Sequence, residues 1–173
     1  YKADGMDASK LLVQIFTSRE FYAPSVVRKQ IKSPVQWLVQ TCKGLDVPLP
    51  DPQVSSGILD QLGQSLFAPP NVKGWDGGRS WVSSSTLLMR YNIAGQIVHG
   101  GGAFATPDID KLLPPRAKAD EACEKLGWSL FQASLTPALA EKTKNFINRE
   151  GVSESARRDL VHLLMSTPEY QLV

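Results

Sequence analysis

Two cysteines and two histidines are the only strong soft-metal ligands in a chain of 173 residues. Cys42 and Cys123 are too few to staple a fold, and a chain of this length buries enough surface to need no staple. With His99 and His162 they make a poor zinc set, because no two of the four stand at short ligand spacing. Charge of one sign is lacking too. Nineteen basic residues against seventeen acidic ones leave +2, too little for a nucleic-acid track or an anionic membrane surface. No apolar run approaches the roughly 18 residues that span a bilayer. Alternating β-branched residues nowhere persist long enough to predict a strand. No glycine pattern fits a nucleotide-binding loop, and no Gly-x-Ser-x-Gly elbow is present. Tyr1 opens the chain without a signal-type segment, so it reads as a processed or truncated product.

What is present is helical periodicity punctuated by proline and glycine. Asp7 precedes Ala8, Leu11, Leu12, Ile15 and Phe16, spaced for one face of a helix near 7–18. Ser33, Pro34 and Gln36 form the signature of a capping box, followed by Val35, Leu38, Cys42 and Leu45 on one face and Gly44 as a stop. Alternate prolines at 48, 50 and 52 predict an extended connector. A helix is then expected from Ser56, burying Ile58, Leu59, Leu62, Leu66 and Phe67, until Pro69 and Pro70 end it. Ser80 is placed to cap a long helix whose buried stripe is Ser84, Leu87, Leu88, Tyr91, Ala94, Gly95 and Val98, with Gly100 to Gly102 closing it. An irregular crossing over 103–116 precedes three further helices near 118–132, 137–149 and 154–166. The class is all-α, an irregular bundle of about six or seven helices with long Pro/Gly-rich loops, read as one helical unit over 1–173. The two thiols read as small buried hydrophobes, with a single bridge as the alternative.

Between Phe67 and Trp81 lies the segment Phe-Ala-Pro-Pro-Asn-Val-Lys-Gly-Trp-Asp-Gly-Gly-Arg-Ser-Trp. Two prolines stiffen its entry, and Gly74, Gly77 and Gly78 permit positive φ, so the loop can hold one shape. Asn71, Lys73, Trp75, Asp76, Arg79 and Trp81 place indole rings beside an amide and charges, a combination that grips a sugar ring, a cation or a peptide. The structural alternative makes Trp75 and Trp81 anchors that pin the loop onto the helices. Arg90, mid-helix and two to three turns beyond Trp81, is expected to reach back to Asp76 or a loop carbonyl, with a solvent-facing side chain as the alternative. The basic groups Arg28, Lys29 and Lys32, and Arg157 with Arg158, read as ordinary helix surface. Asp108 and Asp110 read as a solvated loop face, and Ser83 to Ser85 as helix-borne hydroxyls rather than nucleophiles.

The run Leu62-Gly63-Gln64-Ser65-Leu66-Phe67-Ala68-Pro69-Pro70-Asn71-Val72-Lys73-Gly74-Trp75, continued by Gly77-Gly78-Arg79-Ser80-Trp81 and by Ser85-Thr86-Leu87-Leu88-Met89-Arg90-Tyr91-Asn92, resembles the signature of the bacterial domain of unknown function 1800 family. The pieces Lys32-Ser33-Pro34-Val35-Gln36-Trp37-Leu38-Val39 and Leu163-Leu164-Met165-Ser166-Thr167-Pro168-Glu169-Tyr170-Gln171 agree with it. Asp76 departs from it, since the family often has proline there. The resemblance implies a C-terminal portion of a longer, largely helical protein, exported to the periplasm or beyond and encoded beside a second exported protein. It brings no catalytic residues.

Two functions of different class follow. One is noncatalytic: a binding or assembly domain whose loop, with Arg90, meets a glycan, a peptide or a partner protein, without cofactor or metal. The alternative is the C-terminal part of a hydrolase-like enzyme, with Asn71, Asp76 or Arg90 on a pocket wall and its reactive groups upstream.

Overall fold

The computed structural model describes residues 5–173, and among them the secondary structure is helical, with no strand or sheet. The eight α-helices are α1 (Ala8–Thr17), α2 (Pro34–Gly44), α3 (Pro52–Gln61), α4 (Ser84–His99), α5 (Ile109–Leu112), α6 (Ala119–Leu126), α7 (Pro137–Glu150) and α8 (Glu154–Met165). The sequence places most of their starts. The Asp7 carboxylate accepts from the Ser9 and Lys10 amides, Ser33 and Gln36 close their capping box, and Thr136 and Ser153 cap α7 and α8. Gly100 ends α4 at φ +70°, the left-handed turn that a helix stop favours.

Several boundaries move. Helix α3 begins at Pro52 rather than Ser56, because Asp51 accepts from the Gln53 amide and a proline is at ease in a first turn. It stops at Gln61, where Gly63 turns left-handed at φ +89°, so Leu66 and Phe67 are exposed rather than buried. Ser83 caps α4 instead of Ser80, through reciprocal bonds with Thr86; Ser80 is spent in a 3-10 turn, Gly78–Trp81. After α2 it is Asp46, not Gly44, that adopts positive φ. Gly44 instead lets α2 approach the carbonyl of Ser129, which an added Cβ would meet at 3.0 Å. The single-turn helix α5 lies inside the expected irregular crossing. The expected helix 118–132 divides into α6 and a π-helical turn, Gly127–Phe131.

One contiguous core joins α2, α4, α6 and α8, with Trp37, Ile97, Leu126 and Val161 among its fully enclosed side chains. Helix α4 turns a different face to it than its apolar spacing predicts. Ala94 and Val98 are buried as expected, but their companions are Arg90, Ile93 and Ile97, while Leu87, Leu88 and Tyr91 stay largely exposed. Arg90 can be enclosed because both terminal guanidinium nitrogens find acceptors there, with only its Nε left without one, and this sets the rotation of the helix. Helix α1 goes the other way. Its capped, amphipathic stripe buries nothing, and Leu12, Val13 and Phe16 are at least half exposed.

Residues 30–32 meet the segment 171–173. The Gln30 amide donates to the Val173 carbonyl at 3.3 Å, Val173 donates back to Gln30 at 2.8 Å, and the Lys32 amide donates to Gln171 at 2.8 Å. Ile31 and Leu172 face each other in this isolated antiparallel bridge.

Two of the basic residues read as helix surface are interior. Arg157 is buried, its guanidinium donating to the Asp110 carboxylate at 2.7 Å and to the Leu113 carbonyl. Lys32 is only 3% exposed, its ammonium 4.0 Å from the centre of the Tyr170 ring. Burial, then the nearby charges of Arg28 and Arg90, pull its pKa down from 10.5 to about 8. The unfolded chain therefore holds a proton that the folded chain sheds between about pH 8 and 10.5, so stability rises with pH through that window. Below it the penalty is full, of the order of 3 kcal/mol. Lys32→Met should remove it. We expect the variant's advantage in urea denaturation to be largest at pH 7 and to shrink by pH 10; an advantage independent of pH would refute this origin.

Both cysteines are free thiols. Cys42 is buried in the core, where desolvation raises its pKa to about 11, and half-buried Cys123 is raised for the same reason.

Candidate functional site

The loop between α3 and α4 is held by its own short-range bonds. The Asn71 side-chain oxygen accepts from the Lys73 amide at 2.9 Å and the Asn71 carbonyl accepts from Gly74 at 3.0 Å, a turn that Asn favours. Lys73 and Asp76 pair at 2.8 Å. Both are well exposed, so this pair shapes the tip more than it stabilises the protein. Gly74, Gly77 and Gly78 all take positive φ, at +93°, +73° and +55°, as the loop's spacing anticipates. Ser80 donates its hydroxyl to the Gly77 carbonyl at 2.8 Å.

The two tryptophans part company. Trp81 is buried, 8% exposed, yet stands outside the contiguous core, under the glycine turn: a Cβ on Gly77 would lie 3.9 Å from its indole nitrogen. Trp75 is half-buried, and Arg79 is exposed on the 3-10 turn. Thus Asn71, Lys73 and Asp76 are brought together, with Trp75 between them in sequence and Trp81 beneath Gly77.

Arg90 does not join them. It is 1% exposed, and the expectation that it reaches Asp76 or a loop carbonyl, or faces solvent, is corrected by its partners. One guanidinium nitrogen donates to the Gln171 side-chain oxygen at 3.0 Å and the other to the Lys32 carbonyl at 2.9 Å, with the group 5.7 Å from the Trp37 ring centre. Desolvation lowers its pKa to about 10, which leaves it charged at neutral pH. Gln171 in turn donates to the Met165 carbonyl, so the oxygen facing Arg90 is fixed. Arg90 belongs to the clasp of residues 30–32 with 171–173, and nothing in the spacing of α4 signalled that partner 81 residues away.

Sequence reasoning also missed the loop's most exposed groups. Phe67 is 97% exposed at φ +61°, a left-handed conformation uncommon for a bulky side chain, and Val72 is fully exposed. Beyond the loop, Val82, Leu87 and Tyr91 join Ile31, Pro168 and Leu172 around an apolar groove of about 370 Å³. The one signal for it was the apolar stripe on α4, read as core.

The other candidate groups are engaged structurally. Ser83 and Thr86 cap α4, Asp108 accepts from the amides of Asp110 and Lys111 at the start of α5, and His162 lies 2.9 Å from the Tyr91 carbonyl. Among the described residues no three or more His, Cys, Asp or Glu side chains cluster as metal ligands do, and no helix is long and apolar enough to cross a membrane.

Fold and loop together define an all-α protein with a braced, tryptophan-bearing loop set between two helices of its core. A family described as protein of unknown function, DUF1800, matches residues 1–172, and the chain belongs to it. No curated protein and no solved structure matches the chain.

Proposed function

We propose that the chain is a noncatalytic binding or assembly domain, and that the loop from Phe67 to Trp81 is its contact surface. The observation that carries this is the display of Phe67 and Val72, fully exposed on a loop whose base is anchored by Trp81. Large apolar groups held out into water on a fixed frame lose little entropy on docking and gain their burial there. The strained backbone at Phe67 supports the same reading, since a bulky side chain is kept in a costly conformation that points to a use for it.

A peptide or protein partner fits better than a glycan. A sugar would call on the Asn71 amide oxygen and the Asp76 carboxylate, and both are already engaged with Lys73. Lys73, Trp75 and Arg79 would border the apolar contact. The exported protein that the family resemblance places beside this one is the first partner to test, in the periplasm or outside the cell. The hydrolase alternative set Asn71, Asp76 or Arg90 on a pocket wall, and of these Arg90 is committed to Gln171 and Lys32.

Phe67→Asp and Val72→Asp should leave stability within about 0.5 kcal/mol, as surface changes do. Each should weaken binding of the neighbouring gene product about tenfold or more in calorimetric titration, as the loss of an apolar anchor does. Unchanged affinity in both variants would sink the proposal.

A further inference from the structure

A second surface lies away from the loop. Helices α7 and α8 form a hairpin joined at Gly151, which takes φ +76°. Between them runs a groove of about 440 Å³, floored by Leu139 and Phe146 from α7 and by Leu160, Leu163 and Leu164 from α8. Leu139 and Phe146 stand two turns apart on α7, and Leu160, Leu163 and Leu164 follow three-four spacing on α8, so the floor is a trough running along the hairpin. From Leu139 to Arg149 it extends about 15 Å at the helical rise. Leu163 is half exposed in it.

The charges are on one edge. Lys142 and Arg149, seven residues apart on α7, line the groove, and no carboxylate does. Lys142 makes no ion pair among the described residues, and Arg149 meets only its chain neighbour Glu150, at 2.7 Å. Seven residues separate the two cations by about 10 Å along the axis. A single anionic head group cannot reach both, whereas two carboxylates two turns apart on a helix can.

We infer that this groove receives an amphipathic helix of a partner protein, its apolar stripe laid between α7 and α8 and its acidic residues, spaced by seven, aligned with Lys142 and Arg149. This is the helix-in-groove mode of recognition, with the floor supplying affinity and the cationic edge fixing orientation. It is independent of the loop.

Two synthetic 16-residue peptides with the same leucine stripe test it, one with Glu and one with Lys at the flanking positions two turns apart. Binding to the whole chain is read by fluorescence anisotropy. The Glu peptide should bind about tenfold or more tightly than the Lys peptide, and its affinity should fall with salt. Lys142→Glu combined with Arg149→Glu, both at exposed positions, should invert the preference. Leu163→Asp should weaken both peptides about tenfold. Equal binding of the two peptides, no binding by either, or a preference that survives the charge reversal would overturn the inference. Saturable binding of dodecanoate that depends on Leu163 but not on the paired cations, with no peptide binding, would overturn it in favour of a small amphiphile.

Discussion

Trp81→Ala is expected to destabilise the protein by about 3–5 kcal/mol, the cost of deleting a buried indole. The ring is 8% exposed and sits under the glycine turn of the loop rather than in the contiguous core. Its loss should act in two places. Stability falls through lost burial and the cavity left behind, and the loop loses the wedge that holds Gly77 and the 3-10 turn in place. Trp81→Phe keeps part of the contact and should cost about 1–2 kcal/mol. Urea denaturation gives the first quantity, and limited proteolysis within 67–80 gives the second. A Trp81→Ala variant that loses under 1 kcal/mol, or whose loop is cut no faster, would show that the ring anchors nothing. Because the loop is also the proposed contact surface, this variant should lose partner affinity together with stability. Phe67→Asp and Val72→Asp should lose only affinity, and that contrast separates scaffold from surface.

Gly100→Ala should cost about 2–4 kcal/mol, although alanine is the better helix former. Two effects add. The residue holds φ +70°, which costs an alanine about 1–2 kcal/mol. The new Cβ would also stand 1.9 Å from the Thr106 hydroxyl oxygen and 2.8 Å from the Thr106 Cβ. Rotating the hydroxyl cannot clear the second contact, so the segment after α4 has to move. Gly100→Ala with Thr106→Gly should recover the steric part and leave the conformational part, and a double-mutant cycle divides the two. If Thr106→Gly recovers nothing, the backbone conformation alone accounts for the loss.

How far the fold can be read from the chain depends on the range of the interactions that decide each element. Caps act over three residues, so Asp7, Ser33, Thr136, Ser153 and the Gly100 stop were legible. Where two local signals competed, the choice fell to tertiary packing. Ser80 and Ser83 both suit a cap, and the burial of Trp81 in a 3-10 turn favours Ser83. The apolar stripe of α4 misled because periodicity assigns a buried face by hydrophobicity, and an arginine held inside by bonds to Gln171 and the Lys32 carbonyl does not count as hydrophobic. Lys32 and Arg157 were hidden for the same reason. At the loop, composition pointed to the positive-φ glycines but not to the pairing of Lys73 with Asp76. It did not show that Leu66, Phe67 and Val72 would be turned outward, because an aromatic beside a helix end reads as core until the helix is known to have stopped at Gln61.

The clasp of residues 30–32 against 171–173 has a consequence for synthesis. Arg90 finds its two acceptors only where residues 32 and 171 have come together, so the guanidinium on α4 is fully bonded in the interior only when both segments are in place. In the order of synthesis residue 171 follows α4 by 72 positions, so the bonding of Arg90 is completed late, by a segment made well after the helix that carries it. A product lacking residues 171–173 would leave one guanidinium nitrogen of Arg90 without its acceptor inside the core.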